Sequence, residues 1–348
     1  MERVFFGEAA VERLAEVLEA KTYSRVGILC DANTHNYCLS SFLAALPKLD
    51  TETLEIIELE PGEDSKSLEI AAQVWDFLGE SQFNRHSLLI NLGGGVISDL
   101  GGFVASTYMR GMDFINFPTS LLAMVDASVG GKTGVNFGNF KNRVGLFVEP
   151  LMVGIVPDFL PTLPPEELQS GLAEMLKHGL IADYEHYQDL MQIIKAGGEL
   201  SLNEIKRSVQ IKAQVVDEDA RETGLRKVLN FGHTVGHALE ILYAEEGKPI
   251  SHGYAVALGM QVELSLSVEQ AGLNRERAES TRAELATLYP FPVAELKEEA
   301  FLRLVRGDKK NQGEAISLSL LADFGKAVFD VPLNAEQVWQ ALKQQLHG

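Results

Sequence analysis

Short apolar runs alternate with amphipathic segments through the first half of the chain. The runs 26–30, 54–59 and 88–91 are short and mostly apolar, which predicts buried strands. Segments near 35–46 and 65–79 repeat apolar residues at spacings of three and four, which predicts amphipathic helices. Because strands and helices alternate, the pattern predicts an α/β fold with a mostly parallel sheet covered on both faces.

The second half follows a helical pattern. The spacing predicts helices over 164–181, 184–194, 201–218, 229–243, 252–270, 274–287 and 333–346, with extended chain at 316–321 and near Val328. Five of the 12 prolines lie within residues 150–165, and proline interrupts both helices and central strands. We therefore predict an α/β N-terminal domain over 1–160 and a mainly α-helical C-terminal domain over 161–348.

Composition excludes several classes of protein. The chain has 348 residues and a formal net charge of −19. Nucleic-acid-binding proteins need a basic surface for the phosphate backbone, so this charge argues against that class. The chain contains neither a long apolar run nor an N-terminal signal-peptide pattern, so we expect no membrane association. Its two cysteines, Cys30 and Cys38, cannot frame a disulfide scaffold. These features favour a cytoplasmic protein that binds no nucleic acid.

Glycine is concentrated between residues 93 and 145. The run 93–99 follows an apolar strand and opens an apolar helix, where backbone N–H groups can bind a pyrophosphate. It departs from G-x-G-x-x-G because Ser98 stands at the third glycine, so a plain strand–helix turn remains an alternative. The segment 131–133 resembles the end of a Walker A loop, but Asp126 occupies the position of its first glycine. An ATPase P-loop is therefore excluded.

Positive charge is locally in excess in the same region. Between residues 110 and 143 the charged side chains are Arg110, Lys132, Lys141 and Arg143 against Asp113 and Asp126. The lysines interrupt a run of small residues instead of lying on a polar helix face. This context favours contact with a small anion over ordinary solvent exposure.

The second half carries a candidate metal site. His233 and His237 are four residues apart and share one face of a helix, His252 opens another, and Glu174 lies in an apolar stretch. No glutamate follows the first histidine, so the H-E-x-x-H motif is absent. Imidazoles with a carboxylate suit catalytic zinc. The alternative, in which each histidine is a hydrogen-bonded core residue, stays open at this point.

Several long motifs resemble those of the 3-dehydroquinate synthases, a family of sugar-phosphate cyclases. The block 118–136 carries most of the resemblance, and residues 141–145, 162–177 and 229–237 agree with it. Weaker blocks lie at 62–66 and 308–310. The motifs follow the family's order over almost the whole chain. The resemblance implies a nucleotide-binding α/β domain, a helical metal-binding domain and an active site in the cleft between them.

The resemblance also assigns residues. The implied ligands of a divalent metal, zinc or cobalt, are Glu174, His233 and His252. The implied NAD-binding residues are Asp31, Glu63, Lys66, Gly94, Gly95, Val96, Asp99, Thr119, Ser120, Leu122, Lys132, Lys141, Phe159, Thr162 and Glu167. The implied substrate-binding and catalytic residues are Arg110, Asp126, Lys132, Asn142, Lys177, Lys212, Arg226, Asn230, His237, Lys309 and Lys310. In that family the counterpart of Arg110 reaches across a dimer interface, so the resemblance implies a homodimer.

The implied reaction is a step of the shikimate pathway of aromatic amino acid biosynthesis. It converts 3-deoxy-D-arabino-heptulosonate 7-phosphate to 3-dehydroquinate and phosphate and regenerates NAD in each turnover. Related cyclases act on sugar phosphates without a carboxylate, and polyol dehydrogenases of similar fold release NADH. The presence of Lys212, Arg226, Asn230 and His237 together favours the carboxylate-bearing substrate.

Three positions depart from the commonest family pattern. Ser120 and Met124 replace a threonine and a glutamine, and Tyr254 stands where glutamate is common. Because Tyr254 lies two residues after His252, we expect that it can alter the surroundings of a bound metal.

Overall fold

The computed structural model describes residues 1–46, 53–138, 140–307 and 315–347. The chain forms two compact units, one of Met1–Leu168 with Ser201–Val209 and the other of Gln169–Leu200 with Gln210–Gly348. The boundary expected at residue 160 stays a prediction.

A six-stranded parallel sheet forms the first unit. The strands of this unit are β1 (Val4–Phe6), β2 (Val26–Asp31), β3 (Leu54–Leu59), β4 (Leu88–Gly93), β5 (Asp113–Pro118), β6 (Lys132–Phe137), β7 (Phe140–Phe147) and β8 (Val153–Ile155). The sheet has the order β1-β8-β5-β4-β2-β3, while β6 and β7 pair separately as an antiparallel hairpin. The strands predicted at 26–30, 54–59 and 88–91 are confirmed, and so is the parallel sheet.

Helices connect these strands. They are α1 (Glu8–Ala20), α2 (Ala32–Thr34), α3 (Ser40–Ala45), α4 (Leu68–Glu80) and α5 (Gly95–Thr107). A π-helical turn, His35–Leu39, joins α2 to α3. The apolar faces of α4 and α5 pack on the sheet in a core that includes Leu29, Leu89, Leu100 and Val104, all 0% exposed. These buried contacts hold α4 and α5 against the sheet.

The second unit is mainly helical. Its helices are α6 (Pro165–Ala182), α7 (Tyr184–Lys195), α8 (Leu202–Glu218), α9 (His233–Glu245), α10 (His252–Gln270), α11 (Arg275–Leu288), α12 (Glu298–Arg306) and α13 (Ala335–His347), of which α6 and α8 begin in the first unit. An antiparallel pair, β9 (Ile316–Asp323) and β10 (Lys326–Leu333), completes it. Among the described residues, no helix is both long and apolar enough to cross a bilayer.

Two predictions for this half need correction. The predicted helix 229–243 begins only at His233, because Gly232 has a left-handed φ of 82° and the preceding Leu225–Asn230 is a 3-10 helix. Sequence analysis also missed α12, a nine-residue helix without a side-chain cap. The other predicted helices and both extended segments are confirmed within two residues.

Two helical glycines have opposite surroundings, which gives a test of packing around β4. A Cβ on Gly101 would lie 1.9 Å from Oδ1 of the buried Asn91, whose Nδ2 donates to Oδ1 of Asn116 on β5 at 2.8 Å. A Cβ on Gly79 would approach nothing closer than 3.8 Å. We expect Gly101→Ala to destabilise the protein by about 1–3 kcal/mol through overpacking. The matched Gly79→Ala should stabilise it by about 0.5–1 kcal/mol. Urea unfolding measures both, and equal effects would contradict the packing described for β4.

Candidate active site

Several of the residues expected to bind NAD lie at or just after the carboxyl ends of neighbouring strands. Asp31 ends β2, Gly94 and Gly95 follow β4, and Thr119 follows β5. In a parallel sheet these ends meet at one edge, where doubly wound proteins bind ligands. The Thr119 N–H donates to the Gly93 carbonyl at 3.0 Å, which joins two of these turns.

The turn between β4 and α5 suits a pyrophosphate. A Cβ on Gly93 would lie 2.6 Å from the Cβ of Ile97, so the close strand–helix turn requires glycine. Gly94 precedes α5 without a side-chain cap. The N–H groups of the first helical turn are therefore suited to donate to an anionic ligand. This backbone fits the NAD-binding role that the resemblance implies.

Lys66 connects this edge to the β6–β7 hairpin. Its side chain is 6% exposed, and its Nζ lies 2.6 Å from Asp99 Oδ2 and 2.5 Å from Asn142 Oδ1. A buried ammonium needs such partners because its desolvation is costly. The structure therefore brings together two predicted NAD residues and one predicted substrate residue.

The other predicted residues of the first unit lie on separate elements. Val96 is on α5, Leu122 precedes the π-helical turn that contains Asp126, and Lys132 and Lys141 lie on the hairpin. Phe159 and Thr162 are in a 3-10 helix, and Glu63 is in another. Ser120 follows β5, Glu167 lies in the first turn of α6, and Arg110 ends a turn in which its φ is 68°. Lys309 and Lys310 lie outside the described residues.

Glycines allow the helices of the predicted metal site to approach closely. A Cβ on Gly253, beside His252, would lie 1.9 Å from the Ser170 carbonyl oxygen of α6, and Gly253 N–H donates to Ser170 Oγ at 3.0 Å. A Cβ on Gly232, beside His233, would lie 2.7 Å from the Val256 carbonyl oxygen of α10. Neither position has space for a larger residue. These contacts bring α6, α9 and α10 together where the predicted ligands lie.

The predicted ligands face one another. Glu174 is 0% exposed, and its Oε1 lies 3.6 Å from His233 Nε2 and 3.8 Å from His252 Nε2. The ligand atoms of His233, His237 and His252 all lie within 4.8 Å of one another. The structure thus gathers the four residues, including His237, which the resemblance places among the substrate-binding and catalytic residues.

Oriented imidazoles show that this cluster suits a divalent metal. Nδ1 of His233 lies 3.3 Å from the Phe231 carbonyl, and Nδ1 of His252 lies 3.4 Å from Glu240 Oε2. Such partners hold the Nδ1–H tautomer and leave Nε2 available as a ligand. Glu174 also forms a fully buried ion pair with Lys177 one turn later. Buried carboxylate oxygens beside two oriented imidazoles fit a zinc-like ion.

A short loop after α8 organises the predicted carboxylate-binding residues. The Asp219 carboxylate accepts hydrogen bonds from the backbone N–H groups of Gly224 at 2.6 Å, Thr223 at 3.1 Å and Arg226 at 3.2 Å. These bonds, with that of Gly224 the largest cause, lower the pKa of Asp219 to about 2. The loop is thereby held in the conformation that carries Arg226.

Arg226 and Asn230 have defined partners in this segment. The Arg226 guanidinium is buried and donates to the Ala220 carbonyl at 2.7 Å. The Asn230 amide donates to Glu222 Oε1 at 2.7 Å. Lys212, on α8, is also buried. The second unit therefore holds three predicted substrate residues on one helix and the segment that follows it.

Sequence analysis missed Asp219, Glu222 and Glu240. Glu240 lies seven residues after His233 and therefore on the same face of α9, a spacing that is readable from the sequence. No such signal marks the other two, because their partners are set by the turn. Tyr254, for which an effect on the metal's surroundings was expected, donates its hydroxyl hydrogen to the Pro290 carbonyl at 2.6 Å.

Solved structures define the class of fold. A 2-deoxy-scyllo-inosose synthase complexed with carbaglucose-6-phosphate, NAD+ and Co2+ matches with a TM-score of 0.85 at 21% identity, over 99% of this chain and 96% of that one. The 2-epi-5-epi-valiolone synthase of Streptomyces hygroscopicus subsp. jinggangensis 5008, with NAD+ and Zn2+ bound, matches with a TM-score of 0.84 at 25% identity, with the same coverage. The protein has the fold of the sugar-phosphate cyclases.

Sequence comparison identifies the family within that class. Residues 56–170 match the 3-dehydroquinate synthase N-terminal family and residues 171–311 the C-terminal family. The 3-dehydroquinate synthase of Parabacteroides distasonis is 40% identical over 332 residues, which cover 94% of this chain and 93% of that protein. The chain belongs to the 3-dehydroquinate synthase family, as the motifs indicated.

We expect Glu240→Gln to weaken metal binding, because the neutral amide holds the His252 imidazole less strongly than the carboxylate does. Loss of such a partner lowers metal affinity by about 10- to 100-fold. Titration of zinc against a chromophoric chelator measures the affinity without any assay of activity. Glu245→Gln, an exposed substitution on the same helix, is the control. Wild-type affinity in Glu240→Gln would contradict the role of this carboxylate.

Asp219 should contribute to the acid branch of the stability profile. Its pKa is about 2 in the folded protein, against about 3.9 in an unfolded chain. A carboxylate whose pKa is lower in the folded than in the unfolded protein stabilises the folded state at pH values above the unfolded pKa. This stabilisation is lost as the pH falls toward 2. Thermal unfolding of Asp219→Asn should therefore depend less on pH between about 4 and 2 than that of the wild type. Exposed Asp323→Asn serves as the control, and identical profiles for all three proteins would refute the effect.

Proposed function

We propose that this protein is a 3-dehydroquinate synthase, a phosphate-eliminating carbon–oxygen lyase. Its substrate is 3-deoxy-D-arabino-heptulosonate 7-phosphate, and its products are 3-dehydroquinate and phosphate. The observation that carries the proposal is the cluster of buried Glu174 with oriented His233 and His252 in a chain of this family. The reaction belongs to the shikimate pathway of aromatic amino acid biosynthesis.

The proposed cofactors are NAD and a divalent metal, zinc or cobalt. Both solved cyclases contain NAD+, one with Co2+ and the other with Zn2+. NAD supplies reversible hydride transfer, and the metal acts as a Lewis acid that lowers the pKa of a substrate hydroxyl. Glu174, His233 and His252 would hold the metal, and the glycine turn after β4 would hold the pyrophosphate of NAD.

Buried positive charge in the second unit supports binding of the substrate carboxylate. Arg226 is 2% exposed and Lys212 is 6% exposed. Charge-assisted hydrogen bonds to an anionic ligand are stronger at buried positions than at solvent-exposed ones. Arginine also matches a carboxylate in a bidentate geometry. We assign the carboxylate to Arg226 and Lys212, and a ring oxygen to Asn230.

The local positive charge of residues 110–143 supports binding of the substrate phosphate. We assign the phosphate to Lys132, Asn142 and Arg110, with Asp126 nearby in sequence. Lys132 and Arg110 have exposed side chains that a dianion can reach. His237, whose ring centre lies 5.4 Å from that of His233, is proposed to hold and move a proton at the reacting hydroxyl. Lys177 keeps the charge of buried Glu174 balanced.

The oligomeric state and the cellular location are also proposed. A homodimer is supported by the segment around Arg110, where Met109 is 53% exposed and both residues have positive φ. A cytoplasmic location is supported by the two free, buried cysteines, Cys30 and Cys38.

Product analysis tests the proposed reaction. Purified protein with the heptulosonate phosphate, NAD and zinc should release one phosphate for each 3-dehydroquinate formed. NADH should not accumulate, because the hydride returns to the substrate within each turnover. Glucose 6-phosphate, which lacks the carboxylate, is the matched control and should release little phosphate. Phosphate release from glucose 6-phosphate but not from the heptulosonate phosphate, or NADH accumulation with a simple polyol, would overturn the assignment.

A further inference from the structure

Asn136 occupies an irregular position in the β6–β7 hairpin. Val135 pairs with Val144 and Phe137 with Phe140, and the register shifts between these pairs. Asn136 is therefore the single β6 residue opposite residues 141–143 of β7, so the extra residues of this β-bulge lie on β7. Its backbone N–H donates instead to the Lys66 carbonyl at 2.8 Å, and Asn136 forms an isolated parallel bridge with Ser67.

The side chain of Asn136 bonds in two directions. Its Nδ2 donates to Glu63 Oε1 at 2.8 Å, and its Oδ1 accepts from the Asn142 backbone N–H at 2.9 Å. Glu63 begins the 3-10 turn before Lys66, and Asn142 lies on β7. One amide thus joins the segment assigned to NAD with a residue assigned to the substrate phosphate.

The conformation of Asn142 needs such support. Its φ is 53°, in the left-handed region that a non-glycine residue occupies at some cost. The Asn136 Oδ1 bond holds its backbone, and Lys66 Nζ holds its Oδ1 at 2.5 Å. Asn136 makes the first of these bonds itself. The second comes from Lys66, whose backbone carbonyl accepts from the Asn136 N–H.

We propose that Asn136 is a positioning residue that holds Asn142 for the substrate phosphate and Glu63 for NAD in a single arrangement. The inference rests on the proposed function, which assigns those two ligands. Asn136 itself was part of the family motif at 118–136, but nothing in the sequence gave it a role. Its polar atoms act through their neighbours.

Two substitutions separate the bond from Asn136 to Glu63 from the bond between Asn136 and Asn142. Asn136→Ala removes both side-chain bonds and should raise both the KM for the heptulosonate phosphate and the Kd for NAD by about tenfold. Asn136→Asp keeps an oxygen that accepts from the Asn142 N–H but places a carboxylate against Glu63. It should leave KM within about twofold of wild type and raise the Kd for NAD by about tenfold. Neither change should lower kcat by more than about threefold, because Asn136 affects how substrate and NAD bind and does not contact the reacting atoms.

The measurements are steady-state phosphate release and calorimetric titration of the metal-loaded protein with NAD. Asn84→Ala is the control, because it removes a side chain that bonds Ser24 and His86 in a surface turn of the same unit. The proposal is overturned if Asn136→Ala matches Asn84→Ala, or if the alanine and aspartate variants raise KM equally. If Asn136→Ala does not fold, the split between KM and Kd in Asn136→Asp decides. If the wild-type protein releases no phosphate, the proposed function is refuted. The NAD titrations would still test whether the bond between Asn136 and Glu63 supports NAD binding.

Discussion

A buried carboxylate is the constraint on which the second unit depends. Glu174 is wholly inaccessible, and an isolated charge at such a position would cost several kcal/mol. The helices must therefore approach closely enough to surround it with a lysine and imidazoles. Gly232 and Gly253 make that approach possible, because a side chain at either position would meet the backbone of a neighbouring helix. The packing of α6, α9 and α10 and the chemistry of the cluster are thus one arrangement.

The first unit solves a different problem, which is how to present backbone groups to an anionic cofactor. Parallel strands bring the turns after Asp31, Gly93 and Pro118 to one edge, and the absence of a Cβ at Gly93 lets the chain turn directly into α5. Lys66 is buried near this edge, where Asp99 and Asn142 satisfy its ammonium. The hairpin at Asn136 then extends this polar network beyond the sheet edge.

Much of this architecture was predictable from local pattern. Apolar runs predicted β2, β3 and β4, and helical spacing predicted most helices of the second half. In the second half the prediction failed where a local signal was weak or absent. The nine-residue helix α12 has no side-chain cap, and the start of α9 was set by the left-handed conformation of Gly232. Long motifs indicated the family and the types of ligand, because they depend on the identity and order of residues, which the sequence gives directly.

The sequence by itself determined which residues are available: a carboxylate on an apolar helix, three histidines, a glycine turn and a basic stretch. It left open whether each histidine was a core residue or a ligand. Tertiary structure decided how these side chains are arranged: the Nε2 atoms of His233 and His252 converge on Glu174 while Phe231 and Glu240 hold their Nδ1 atoms, which favours the ligand interpretation. It also decided the partners of Asp219 and Asn136. Hydrophobic periodicity reports only the face that a residue occupies, whereas these hydrogen bonds depend on turn geometry and on segments distant in sequence.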